Sequence, residues 1–145
     1  VTYFETTGWL GVMETEAGSP LPEKFPSKPG RAFPLYFPFA WLSGPVEKLR
    51  KLSSTRELDA GGFVLENDRG KEIYLMNYQH EPISIRLTGF RGTGEMKVLD
   101  ETNVREACSD PEGFLETTGS GIELFEEGTT IDKRERAIVR IAFQQ

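Results

Sequence analysis

His80 is the one histidine of the chain and sits in the run Asn77-Tyr78-Gln79-His80-Glu81-Pro82. Imidazole has the unperturbed pKa nearest neutrality, so His80 beside Glu81 could serve as a general base. The same six residues also suit a solvated loop between two strands, and that is the preferred reading. Cys108 is flanked by Glu106 and Asp110, an acidic setting that works against the thiolate a nucleophile needs. It reads as a small, partly buried filler. One cysteine excludes an internal disulfide, and one cysteine with one histidine excludes thiolate clusters and multi-histidine centres, so no metal and no cofactor are expected.

Other motifs are weaker. Gly92-Thr93-Gly94 resembles the start of a phosphate loop, but neither a third glycine nor a lysine-serine pair follows. Asp100-Glu101-Thr102-Asn103 gathers oxygen ligands without the spaced ladder, glycine and terminal glutamate of a calcium loop. Glu126-Glu127 and the run Asp132-Lys133-Arg134-Glu135-Arg136 read as solvated connections. The N-terminus is richer: Tyr3, Phe4, Trp9 and Trp41 accompany Glu5, Thr6, Thr7, Gly8 and Glu14. A strand that ends in a carboxylate and leads through a loop to a helix is how a (β/α)8 barrel presents chemistry. Carboxylates beside aromatic rings also suit sugars, which stack on flat rings and are cleaved between two acids. Packing is the competing role for this segment.

The elements that must position these groups follow from pattern. Val1 to Phe4 is β-branched and aromatic, a short strand. Ser19 to Pro34 contains Pro20, Pro22, Pro26, Pro29 and Gly30, which makes it a long ordered loop. Leu35 to Leu42 is almost wholly apolar and is expected as a helix buried on most of its circumference. Gly44-Pro45 with Glu47 predicts a second, short helix carrying Val46, Leu49 and Leu52 on one face. After Gly61-Gly62 the period becomes two. Phe63 to Glu66 and Lys71 to Tyr78 flank the turn Asn67-Asp68-Arg69-Gly70 as a hairpin. Ile83 to Leu87, Glu95 to Leu99, Gly113 to Thr117, Gly121 to Phe125 and Ala137 to Phe143 complete seven strands. The fold class is mainly β, an antiparallel β-sandwich with an N-terminal strand, a Pro-rich loop and one or two short helices.

A chain of 145 residues with 37% hydrophobic and 28% charged residues has room for one ordinary domain. Its net charge of -6 argues against nucleic acid or an anionic membrane as partner. The charge is uneven: residues 1–60 hold seven basic and seven acidic side chains, and residues 61–145 hold ten and sixteen. That divides the chain into a segment 1–60 and a sandwich 61–145. No apolar run approaches the roughly 18 residues of a membrane span and no signal-peptide plan is present, so a cytoplasmic setting is expected. The chain opens at Val1 in mid-strand pattern, as a fragment would.

The run Val1-Thr2-Tyr3-Phe4-Glu5-Thr6-Thr7-Gly8-Trp9-Leu10-Gly11-Val12-Met13, the loop through Phe25-Pro26-Ser27, then Phe33-Pro34-Leu35-Tyr36 and the β-rich tail resemble the C-terminal portion of the D-apionate lactonase family. That family is similar to clan-A glycoside hydrolases, with a (β/α)8 barrel and a C-terminal β-sandwich. The resemblance implies that Val1–Phe4 is the last barrel strand, Leu35–Leu42 the last barrel helix and 63–145 the sandwich. It implies that the catalytic carboxylates lie on earlier strands, outside this chain, while Glu5 and Trp9 line a sugar-acid pocket of the complete enzyme. The partner would be the missing barrel, with Phe37, Phe39 and Trp41 available for self-association without it. Two other functions fit the residues. One is a stand-alone carbohydrate-binding module using Tyr74, Tyr78 or Phe90, although Tyr74, Met76 and Tyr78 share a parity that suggests an inward face. The other is a self-contained enzyme using His80, Glu81 and Glu5.

Overall fold

The computed structural model describes residues 6–8, 11–68, 70–133 and 135–143. The chain forms two compact units, Val1–Ser43 with Val104–Thr117, and Gly44–Asn103 with Thr118–Gln145. Val1–Phe4, expected as a strand, lies outside the described residues.

In the first unit, segment 12–14 is held against 31–33 by Glu14 N to Arg31 O (2.8 Å) and Phe33 N to Val12 O (2.8 Å). Three short helices follow. α1 (Tyr36–Trp41) buries only Phe37 completely. The expectation of burial around most of its circumference therefore fails, since Leu35 and Phe39 are exposed. Phe37 meets Phe114 edge-on at 5.0 Å between centroids. α2 (Val104–Ser109) and α3 (Pro111–Glu116) interrupt the second half of the sequence. The strand expected at Gly113–Thr117 is thus corrected to a helix. Asp110 accepts a hydrogen bond from Gly113 N at 3.0 Å and Pro111 follows it. An N-cap with proline at the first helical position favours helix over strand.

The second unit is the sandwich. Its larger sheet is antiparallel, in the order β1-β2-β3-β8-β5-β6, formed by β1 (Lys48–Lys51), β2 (Ala60–Asn67), β3 (Gly70–Asn77), β8 (Ile138–Phe143), β5 (Gly92–Leu99) and β6 (Ser120–Leu124). Its smaller sheet is the antiparallel pair β4 (Ile83–Leu87) and β7 (Thr129–Lys133). The pairs Val64–Ile73, Ile73–Ile141, Leu75–Val139 and Met96–Ile141 set the register. That register places Val64, Ile73, Leu75, Val139 and Ile141 on one face, where they pack with Leu87, Leu124 and Ile131. The core is therefore the space between the two sheets.

Two further expectations are corrected here. Residues 45–52 do not form a helix: Lys48–Lys51 is an edge strand, paired with Lys51 opposite Phe63 and exposed at all four positions. An isolated two-turn helix gains too few hydrogen bonds to offset its nucleation cost, whereas the free edge of β2 supplies backbone partners at once. Nor is Asp132–Arg136 simply a solvated connection. Asp132 and Lys133 end β7, and Lys133 points inward with 5% exposure, its Nζ 4.0 Å from Met96 Sδ.

Candidate functional site

Glu5 and Trp9, the residues expected to line a sugar-acid pocket, lie outside the described residues. Their neighbour Glu14 is described: it is buried, accepts from Thr15 N at 2.8 Å and also accepts from the Ser27 hydroxyl. The Ser27 bond ties the middle of the Pro-rich loop to residue 14, which is a structural task. His80 is exposed, and its ring nitrogens lie 2.6 and 2.9 Å from Arg136 Nη2 rather than against the Glu81 carboxylate. The backbone oxygen of Glu81 accepts from Asn77 Nδ2 at 2.8 Å, which shapes the loop. Cys108 is half-buried, and burial raises its thiol pKa. Neither group is arranged as a base or nucleophile.

The polar cluster that sequence reasoning missed lies on the face of the larger sheet opposite the core. β3 and β8 run side by side with Tyr74 opposite Arg140, and Glu72 is two residues before Tyr74 on the same face. Arg140 grips Glu72 with two bonds, Nε to Oε2 at 2.9 Å and Nη2 to Oε1 at 2.8 Å. The Tyr74 hydroxyl donates to Glu72 Oε2 at 2.5 Å, and Phe63 stacks on the Tyr74 ring at 4.8 Å. Burial raises the Tyr74 pKa, aided by the Glu72 carboxylate. The hydrogen bond to Glu72 raises that of Arg140. Burial lowers that of nearby Lys97. The two Arg140 bonds tie β8 to β3, and the Tyr74 hydroxyl fixes the same carboxylate within β3. The shared parity of Tyr74 and Met76 does mark one face, but the core is the other one, occupied by Ile73 and Leu75.

Two grooves flank the segment 52–62 of this unit. One, of about 640 Å³, lies between that segment and β4, over Leu52, Leu75 and Phe90. The other, of about 460 Å³, is bounded by Leu49, Leu58, Met76 and Tyr78. Tyr78 is half exposed and its ring lies across Gly61, where a Cβ would collide with the phenol. Of the three aromatics that could stack on a sugar, Tyr74 is buried and Phe90 packs against the core, which leaves Tyr78 on the surface. Among the described residues no group of three or more His, Cys, Asp or Glu side chains could hold a metal ion.

No protein-family model matches this sequence, and no curated protein matches it. Among solved structures, the chain is similar to a GH30 endoxylanase from Clostridium papyrosolvens C71, with a TM-score of 0.52 and 13% sequence identity. The similarity covers 74% of this chain and 26% of that one, so the present chain matches about a quarter of the endoxylanase. At this identity the likeness is one of fold.

Proposed function

We propose that this chain is the non-catalytic β-sandwich portion of a larger barrel enzyme of carbohydrate or sugar-lactone metabolism. Its role is to brace that barrel, with Glu5 and Trp9 at the rim of a pocket for a sugar or sugar acid. The observation that carries the reading is the unequal coverage of the fold likeness, most of this chain against a quarter of a glycoside hydrolase. The chemistry agrees: Glu72 is already engaged by Arg140 and Tyr74, His80 lies against Arg136, and burial raises the Cys108 thiol pKa. The finer assignment, to a D-apionate lactonase-like parent, rests on the run Val1 to Met13 and the Pro-rich loop after it. Of the residues considered for self-association, Phe37 is spent on Phe114, and Phe39 keeps an exposed ring.

The second reading is a stand-alone carbohydrate-binding module, and Tyr78 is what favours it, with exposed Leu49 and Leu58 beside it. The test is turnover by the chain and by the full product of its natural reading frame, on a panel of aldonolactones, xylan and aryl glycosides. The proposal expects activity in the longer product alone, with a raised KM there for Glu5→Gln and Trp9→Ala. Turnover by the 145-residue chain that is lost in His80→Ala would support the self-contained enzyme instead. Xylo-oligosaccharide binding that is lost in Tyr78→Ala, without activity in either product, would support the module.

A further inference from the structure

Met96 and Lys133 meet in the space between the two sheets of the sandwich. Met96, on β5 of the larger sheet, is half-buried and packs against the core, and Lys133, the last residue of β7 in the smaller sheet, is 5% exposed. The Lys133 ammonium donates to Met96 Sδ at 4.0 Å. Two carboxylates bear on Lys133: Asp100, just after β5, and Asp132, beside it on β7. Among the described residues neither forms an ion pair with it. Asp100 Oδ1 accepts from Thr102 N at 2.9 Å and from the Thr102 hydroxyl at 2.6 Å, and Asp132 Oδ1 accepts from the Ser84 hydroxyl at 2.5 Å.

Donor and acceptor are ill matched in this contact. An ammonium carries three strong N–H donors, whereas a thioether sulfur is a weak acceptor. A buried charge bonded to sulfur therefore regains little of what it had from water. For the sulfur the same contact has the opposite meaning. Oxidation places a polar oxygen on a methionine side chain and ordinarily disrupts an apolar setting; at Met96 that oxygen arises beside a buried cation that needs an acceptor. The side chain is unbranched and has three rotatable bonds, so either sulfoxide epimer can turn its oxygen toward Nζ. The other methionines, Met13 and Met76, differ. Among the described residues no group donates a hydrogen bond to either sulfur, and Met76 sits in the groove with Leu49 and Tyr78.

We propose that Met96 is a modification site, oxidised by hydrogen peroxide to a sulfoxide that the Lys133 ammonium then holds by a charge-assisted hydrogen bond between the two sheets. The sulfur loses two electrons to the peroxide: an S–O bond forms, the O–O bond breaks and one water leaves. The ammonium keeps its proton. The folded sandwich thereby accommodates an oxidation that would otherwise loosen it, and the product is of the kind that methionine sulfoxide reductases reverse. Oxidation also changes how Lys133 responds to pH. With a thioether neighbour, burial holds its folded pKa below the ordinary 10.5, so the fold is relieved as the amine deprotonates. A strong acceptor favours the charged form and moves the folded pKa back up, which removes that relief.

The test uses the whole 145-residue chain with Met13→Leu, Met76→Leu and Cys108→Ala, which leaves Met96 as the one sulfur, and the same chain with Lys133→Leu added. Hydrogen peroxide is applied to both folded chains, and the gain of one oxygen at Met96 is read by peptide mass. Urea unfolding then compares the unoxidised and oxidised forms at pH 7 and pH 10. At pH 7 oxidation should lower the folding equilibrium constant at least about tenfold more in the Lys133→Leu chain than where Lys133 is present, as expected for one hydrogen bond to a charged group. With Lys133 present, oxidation should also remove the stability gained between pH 7 and pH 10. Met96→Gln puts an amide oxygen in the place of the sulfoxide oxygen. In the otherwise unsubstituted chain it should show the same dependence on Lys133 without peroxide. The proposal is overturned if Met96 stays unoxidised in the folded chain, if oxidation and Met96→Gln cost the same with and without Lys133, or if the alkaline gain survives oxidation.

Discussion

Arg140 and Glu72 show how much a single buried contact can be asked to hold. The Arg140 side chain is 25% exposed and Glu72 10%, so the pair is largely desolvated and its two parallel bonds replace water. Removing one partner leaves a buried charge. Arg140→Ala is expected to destabilise the sandwich by about 2–3 kcal/mol, read from the urea midpoint, and the double variant Glu72→Leu with Arg140→Met should recover most of that loss. Lys133 behaves in the opposite way. Burial lowers its pKa, with Asp100 and Asp132 opposing the shift. A base whose folded pKa lies below its unfolded value burdens the fold fully at neutral pH, and the burden lifts as pH rises through the folded pKa toward the ordinary 10.5. The wild-type chain should therefore gain stability across that alkaline window. Lys133→Met should be about 1 kcal/mol more stable at pH 7 and should lack the alkaline gain, measured by urea unfolding at pH 7 and pH 10. None of these residues could be singled out from sequence. Glu72 and Arg140 read as ordinary strand charges and Lys133 as part of a solvated connection, until the register sets Arg140 opposite Tyr74 and diagonal to Glu72 and turns Lys133 of the smaller sheet inward.

At the scale of elements, alternation was legible where one face met the core. The hairpin β2–β3, the strands β4 and β8, and most of β5 and β6 lie where the two-residue period places them. The failures have separate causes. β1 carries no buried residue, so no apolar period marks it, and its pairing depends on the edge that β2 offers. α3 was marked, by Asp110, Pro111 and Glu112, but only an N-cap reading distinguishes that start from a loop leading into a strand. β7 was hidden by its charges, since an inward lysine breaks the alternation that would reveal it. The pair Gly61-Gly62 was read as a boundary and is a packing device. A Cβ at Gly62 would meet the backbone oxygen of Tyr74, while one at Gly61 would meet the movable phenol of Tyr78. Gly62→Ala is expected to cost about 2 kcal/mol, typical of forcing atoms into a filled space. Gly61→Ala should cost less than half as much and displace the Tyr78 ring, detectable as altered tyrosine fluorescence at unchanged far-ultraviolet circular dichroism.

At the scale of the molecule, the charge asymmetry marks two unlike parts, and the two-residue period makes one of them a sandwich. The first 43 residues belong with Val104–Thr117 in one compact unit, and the sandwich is built from the remainder. A segment borrowed from the middle of the chain could not be foreseen from charge asymmetry, because 104–117 lies within the acidic half. The site is less legible than the fold: Glu5 and Trp9 take their meaning from resemblance, and Tyr78 is one of three candidate aromatics until the structure buries Tyr74 and packs Phe90 against the core. The proposal is that this chain braces a sugar-processing enzyme without performing its chemistry. Turnover measured side by side, for the purified chain and for the full product of its natural reading frame on the same lactones and glycosides, tests it most directly. The account predicts turnover in the longer product and none above buffer in the chain; turnover by the chain alone would contradict it.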